Sequence, residues 1–493
     1  MKIKSNKKLA KAFSLIVAML VLEWGGFVLG SASPARAPVY IGVENSTQEP
    51  TSSATSATAQ NDDDDAIASI LAAYQQSVSP GHVSVDVANL SVIYNASQDT
   101  GSTCTPFLDT PAYALSSGFV SSTNDFVLQF VTESVSGSNY WVRGRMSGTG
   151  VVTQPFKVDC SLSILDSPRD PVSADYAGGQ WANGLFQESG TIYTLIHNEY
   201  YGGNYPVGLD FSIQATDQCN LGQPNGTMIN PFNCTYGAIG IASISSASGG
   251  AFVPENGRPG YLVARSSFNF PPNGGGQNAQ GVWGAFTGYP TNTNIVKQSD
   301  GYYYFMAGET FPNGSPSSYG GMAAKQIYCP IRTNNLSDPT SWRAWDGVGY
   351  SVNTHAGNDC TGIANAPLFP FYLGYNTYFR RYILVGATSP SPQNLSNPAF
   401  KNGEVAYALS NDLVHWTQHV WLGVPMWDPD NGGWSQNNYV SLIDPKVLET
   451  VGDPNSSSGA ITGKDPYLLL VQHNSSLGNG ATRLVEIPIH FSN

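Results

Sequence analysis

The 493-residue chain carries 52 Gly and 32 Pro, only 12% charged residues and 12% aromatics, a composition that excludes long-helical, coiled-coil and disordered chains and reads as a large all-β protein. Asp and Glu total 35 against 22 Lys and Arg, for a formal net charge of −13. A surface of that sign repels polyanions, and nucleic acid is excluded as a partner because no basic patch interleaves with aromatics beyond the N-terminal lysines.

Lys2, Lys4, Lys7, Lys8 and Lys11 precede an apolar run from Ala12 to Gly30 that ends in small residues at Ala35-Arg36-Ala37. This is the layout of a secretory signal, so residues 1–37 are expected to be removed and the mature chain to start near Pro38. The alternative is an uncleaved membrane anchor, which Glu23 inside the run disfavours. No later segment resembles a span, so the mature protein is expected to be secreted, off the membrane and monomeric. Residues 38–66 read as a flexible linker, rich in Ser, Thr, Ala and Gln over 44–61. The acidic run Asp62 to Asp65 suits the first turn of a short helix at 66–74 better than a calcium loop, whose spaced ligands and Gly are missing. One domain is then expected over 67–493.

Strand signals recur along the domain in a repeated unit. Trp181 to Gln187, the turn Ser189-Gly190, Thr191 to His197 and, after a long loop, Ala238 to Ile244 form one copy. The unit returns at Thr293 to Lys297, Tyr302 to Ala307 and Gln326 to Arg332. It returns again at Leu368 to Tyr372, Arg381 to Gly386 and Val405 to Leu409, then at Leu442 to Leu448, Tyr467 to Gln472 and Leu484 to Ile487. With a first copy at Asp109 to Leu115 there are five, and Leu484 to Ile487 is expected to complete the last. Repeated antiparallel units that cannot bury their own faces predict a five-bladed β-propeller. The unit starts at 109, 181, 292, 365 and 444, spacings well beyond the ~40–45 residues of a compact blade, so long loops are expected to build a binding face.

Six cysteines, Cys104, Cys160, Cys219, Cys234, Cys329 and Cys360, form an even set consistent with up to three disulfides in an exported chain. No CxxC or His-rich cluster points to zinc, so they read as structural.

The phrase Ser410-Asn411-Asp412-Leu413-Val414-His415-Trp416 resembles the blade ending of five-bladed propeller glycosidases, the class of arabinanases, xylosidases, invertases and levansucrases. Asp109-Thr110-Pro111-Ala112, Ile196-His197-Asn198-Glu199-Tyr200, Asp300-Gly301-Tyr302-Tyr303-Tyr304, Ser341-Trp342-Arg343-Ala344-Trp345-Asp346-Gly347 and Leu442-Ile443-Asp444-Pro445 resemble a group of secreted bacterial propeller proteins of unassigned activity. The resemblance implies a carbohydrate-active propeller acting on an oligo- or polysaccharide. It also places Asp109 where the glycosidases carry a base or nucleophile at the start of the first inner strand. It departs at the fourth unit, where Asn365-Ala366-Pro367 stands in place of the usual acid Glu before Gly-Pro.

Propeller geometry brings together the starts of inner strands and the ends of second strands. The first set is Asp109, Trp181, Asn292, Asn294, Asn365 and Asp444; the second is His197, Glu199, Glu309 and His473. Glycoside hydrolysis needs two carboxyl groups, and Asp109, Glu199, Glu309 and Asp444 are the candidates, with Glu199 the expected acid and Asp109 its base or nucleophile. His197, Trp181, Asn292, Asn294, His473 and Tyr200 are candidates for substrate binding. No cofactor is required, and a calcium ion at the axis is a candidate structural element. A non-catalytic glycan-binding propeller and a polysaccharide lyase using His197 and a Tyr are the alternatives.

Overall fold

The computed structural model describes residues 81–99, 104, 106–108, 112–113, 115–120, 125–134, 137–166, 179–201, 235–245, 250–267, 287–311, 325–363, 368–394, 396–397, 403–426, 436–447, 460–473 and 482–492, all within the unit Asp62–Asn493. The expected signal, linker and short helix, together with Asp109, Asn365, Cys219 and Cys234, lie outside these residues. Among the described residues no helix is long and apolar enough to cross a membrane.

The fold is all-β, and its strands form five antiparallel runs in chain order. The first is Pro106–Phe107 with Leu115–Val120, then Asp125–Ser134, Ser138–Ser147 and Val152–Asp159. The second is Gly179–Glu188, Thr191–Tyr201 and Thr235–Ser245, edged by Val253–Pro254 and Leu262–Ala264. The third is Thr287–Asn292 with Val296–Lys297, then Tyr303–Phe311, Lys325–Thr333, Arg343–Trp345 and Tyr350–Val352. The fourth is Phe369–Asn376, Arg381–Thr388, Glu404–Ser410 and Val420–Pro425. The fifth is Gln436–Ile443, Tyr467–His473 and Thr482–Ser492. A short parallel pairing, Tyr236 with Thr287 and Gly237 with Gly288, joins the second and third runs into one hydrogen-bonded sheet.

The local chemistry explains the hairpins. Ser189 and Gly190 both take positive φ, 49° and 78°, the turn whose twist matches antiparallel strands. It sets Thr191 opposite Glu188 and His197 opposite Trp181. Polar turns that end at Trp342 and Trp416 lead into the outer strands Arg343–Trp345 and Val420–Pro425. Asp338 Oδ1 accepts the Thr340 amide at 2.9 Å, and Asp412 Oδ1 accepts the Val414 and His415 amides. These turns drive Trp342 and Trp416 into the core, at 0% and 4% exposure.

Two expectations are corrected. The fifth inner strand is Gln436–Ile443, not 442–448, because Pro445 cannot continue the ladder. The last run is completed not by Leu484 to Ile487 alone but by His82–Val85 and Ser91–Asn95, which pair antiparallel with Thr482–Ser492.

Apolar clusters fill the seams between runs. One joins the second and third through Leu195, Ile239, Tyr289, Ala307 and Trp342. Another joins the third and fourth through Met306, Leu373 and Trp416, and a further one the fifth and first through Leu128, Phe130 and Leu469. Each run packs on the next, and the fifth on the first. Polar bonds follow the same order: Leu373 N donates to Asn294 Oδ1 at 2.9 Å, Ser441 Oγ to the Ala112 carbonyl at 2.7 Å, and Leu108 N to Thr482 Oγ1 at 2.9 Å.

Candidate functional site

The strand Thr191–Tyr201 ends at Glu199, Tyr200 and Tyr201, beside the start of Gly179–Glu188. Alternation puts Leu195, His197 and Glu199 on one face, toward the third run, and Ile196 and Asn198 on the other, toward the first. Gly179 stands opposite Glu199, and the Trp181 indole fills the space that Gly179 leaves, since a Cβ there would lie 2.5 Å from the ring. The indole and the His197 imidazole are 5.6 Å apart between centroids, tilted by 38°. His197 Nε2 lies 3.5 Å from Glu199 Oε1, with about one seventh of each side chain exposed, 15% and 14%. An apolar ring face, an imidazole and a carboxylate therefore share one solvent-touching surface.

Burial pushes the His197 pKa down to about 4, so the ring is neutral at physiological pH and its contact with Glu199 is not an ion pair. His473 ends the second strand of the fifth run, opposite Gln436, and burial lowers its pKa to about 4 as well.

The opposite face of the same strand is a rigid polar clamp. Gln180 Nε2 donates to Asn198 Oδ1 at 2.6 Å and to the Tyr261 hydroxyl at 2.8 Å, and Gln180 Oε1 accepts from Arg258 Nη2 at 2.9 Å. Asn139, from the first run, donates to the Leu165 and Gln180 carbonyls and accepts the Ala182 amide at 3.0 Å. These buried amides fix the backbone that carries Trp181, His197 and Glu199. Sequence reading missed them, although polar residues at buried alternation positions, Gln180 and Asn198, were the available signal.

Glu309, on the third run, faces the same seam as His197, because it follows Phe305 and Ala307 at two-residue spacing. It is fully buried, and its Oε2 accepts the Cys360 amide at 3.3 Å. Burial, reinforced by the nearby Asp359 charge, pushes its pKa up to about 9, so it stays protonated at neutral pH. It has the protonation of a general acid without the exposure.

The other candidates lie elsewhere. Asp444 follows the end of Gln436–Ile443, near Tyr467, whereas His473 pairs with the start of that strand; it therefore sits at the opposite end of the run from His473. Its Oδ2 accepts the Gly463 amide at 2.7 Å and its Oδ1 the Lys446 amide at 3.1 Å. Asn292 ends the third inner strand, which starts five residues earlier at Thr287, and its Nδ2 donates to the Thr293 carbonyl at 2.9 Å. Asn294 is committed to the seam with the fourth run. The Tyr200 backbone pairs with Tyr236.

The buried amide oxygens Asn183 Oδ1 and Asn292 Oδ1 lack hydrogen-bond partners. Among the described residues the only cluster of three His, Cys, Asp or Glu side chains that could hold a metal is Glu309, Cys329 and Cys360. Among the described residues two disulfides are formed, Cys104–Cys160 and Cys329–Cys360.

No family model and no curated protein matches the chain. Among solved structures it is similar to a β-xylosidase, at 13% identity and TM-score 0.35 over 78% of this chain and 94% of the other. It is also similar to an α-L-arabinofuranosidase from Podospora anserina in complex with cellotriose, at 8% identity and TM-score 0.37 over 84% and 98%. A third is a β-xylosidase/α-arabinofuranosidase from a compost microbial metagenome in complex with xylotriose, at 14% identity and TM-score 0.33 over 77% and 92%.

Proposed function

We propose that the chain is a secreted carbohydrate-active protein whose five runs are the blades of one propeller. A neutral oligo- or polysaccharide binds at the end of the ring marked by Trp181, His197 and Glu199, and a glycosidic bond is hydrolysed there. The observation that carries this reading is the joint surface of indole, neutral imidazole and carboxylate. A sugar ring offers C–H faces to an indole and hydroxyls to an uncharged imidazole and a carboxylate, so the three groups match its two chemistries.

In this reading Glu199 is the acid and Asp109 the base or nucleophile. Glu199 delivers a proton to the leaving glycosidic oxygen while the ionised Asp109 activates water or attacks the anomeric carbon. A carboxyl separation of ~5–5.5 Å corresponds to retention and ~6.5–9.5 Å to inversion. The test is reducing-end release from arabinan- and xylan-type oligosaccharides by wild type, Glu199→Gln and Asp109→Asn. Each amide keeps the shape and removes the proton chemistry, so turnover is expected to fall by about 10³-fold or more while binding persists.

The second reading is a glycan-binding module without turnover. The full burial of Glu309 favours it, since that carboxyl cannot substitute for the acid missing at the fourth unit. Saturable glycan binding by wild type with no reducing ends released under any condition would select it.

A further inference from the structure

Glu309, Cys329 and Cys360 bring three ligand atoms within 4.8 Å of one another inside the third run. Cys329 pairs in register with Ala307, two residues from Glu309 on the adjacent strand. Cys360 comes from the segment after Tyr350–Val352 and donates its amide to Glu309 Oε2. Glu309 is 0% exposed, and its carboxyl lies beside Tyr289 and Asp359. A buried carboxyl with Tyr289 and Asp359 beside it and two sulfurs within reach becomes a ligand set once its proton is displaced, since zinc holds sulfur at ~2.3 Å and carboxylate oxygen at ~2.0–2.2 Å, which places tetrahedral donors under ~4 Å apart.

We propose that the dithiol form of this cluster binds a zinc-class divalent metal through Cys329 Sγ, Cys360 Sγ and Glu309, with a fourth position for water or the neighbouring Asp359. The disulfide and the metal are then alternative states of one cluster. A phosphine or dithiol reductant supplies two electrons, the Sγ–Sγ bond breaks, each sulfur takes a proton, and the reductant is oxidised. Metal binding displaces both thiol protons and the Glu309 carboxyl proton to solvent and forms two metal–sulfur bonds and one metal–oxygen bond.

The geometry does not depend on the S–S bond. Cys329 is held by the ladder between Tyr303–Phe311 and Lys325–Thr333. The segment bearing Cys360 is tied to the second run: Thr354 Oγ1 donates to the Val263 carbonyl at 2.7 Å, Arg265 Nε to the His355 carbonyl at 2.9 Å, and Ser267 Oγ to Asp359 Oδ2 at 2.7 Å.

The test titrates Co²⁺ into the full chain, oxidised and after phosphine reduction, following the thiolate-to-cobalt charge-transfer band and the visible bands of tetrahedral cobalt. Cys329→Ser/Cys360→Ser, which keeps the other four cysteines, isolates this pair. One equivalent bound by reduced wild type and displaced by Zn²⁺, no band in the oxidised protein or the double variant, and Glu309→Gln weaker by about 10-fold or more are expected. Equal bands in reduced wild type and the double variant, no bands at all, or loss of the β circular-dichroism signal on reduction would each overturn the proposal, which requires a folded dithiol state.

Discussion

Asp444 Oδ2 accepts the Gly463 amide at 2.7 Å, tying the turn after the fifth inner strand to the short strand Ile461–Thr462, which pairs parallel with Phe369–Asn376. The carboxylate also accepts the Lys446 and Val447 amides. Asp444→Ala leaves these donors unsatisfied and is expected to cost roughly 1–3 kcal/mol in denaturant unfolding. Glycan turnover is expected to be unchanged; unchanged stability with abolished turnover would return Asp444 to the site.

Trp181→Ala removes the ring that lies over Gly179 and beside His197. Glycan affinity is expected to fall about tenfold, equivalent to ~1.4 kcal/mol, with the unfolding midpoint changed much less. Calorimetric titration against the wild-type substrate reads this directly.

His197, His419 and His473 all have pKa values lowered by burial, the first and last to about 4. The unfolded chain binds more protons than the folded one between about 6.5 and 4, so stability falls as pH drops through that window. Each histidine contributes a slope of up to ~1.4 kcal/mol per pH unit. His473→Gln is expected to shallow the acid limb of the stability profile, and an unaltered limb would show that this ring is not held neutral.

Glu309 shifts the other way. Its folded pKa of about 9 exceeds its ordinary value, so its contribution is complete below pH ~4.5 and is lost as pH rises toward 9. Glu309→Gln keeps a neutral group of the same shape and is expected to flatten the alkaline limb between pH 7 and 9. A steeper alkaline loss in the variant would contradict a protonated Glu309.

Gly288 joins the second and third runs at φ +85°, and a Cβ there would meet the Gly237 carbonyl oxygen at 2.2 Å. Gly288→Ala combines backbone strain with a collision against main chain that has no side chain to move aside. A loss of roughly 2–4 kcal/mol is expected, read as a lowered unfolding midpoint.

The hairpins were legible where local chemistry and global pairing agree, as at Ser189-Gly190 and the alternation of Thr191 to His197. The third and fifth inner strands were not, whereas the second and fourth, Gly179–Glu188 and Phe369–Asn376, match their sequence signals. Thr287–Asn292 reads Thr-Gly-Tyr-Pro-Thr-Asn and Gln436–Ile443 opens with Gln-Asn-Asn, so their composition signals loop and only the ladders beside them make them strands. That error moved the expected starts to 292 and 444. His197 and Glu199 were found together because two-residue spacing at a strand end is local information. The clamp of Asn139, Gln180, Asn198 and Tyr261 depends on residues up to 81 apart in the Gln180–Tyr261 bond, which no local pattern reports.

The pairing of His82–Val85 and Ser91–Asn95 with Thr482–Ser492 has a consequence for synthesis. Ser91 Oγ meets Glu486 Oε1 at 2.7 Å across 395 positions of chain, so a polypeptide made from its N-terminus carries these early strands unmatched until the final 11-residue strand appears. Closing that distance late is entropically costly, and the waiting edges are open to intermolecular association. A chain cut short before Thr482 leaves Tyr467–His473 and both early strands without their shared neighbour, which makes complete synthesis a condition for a sealed, non-aggregating sheet.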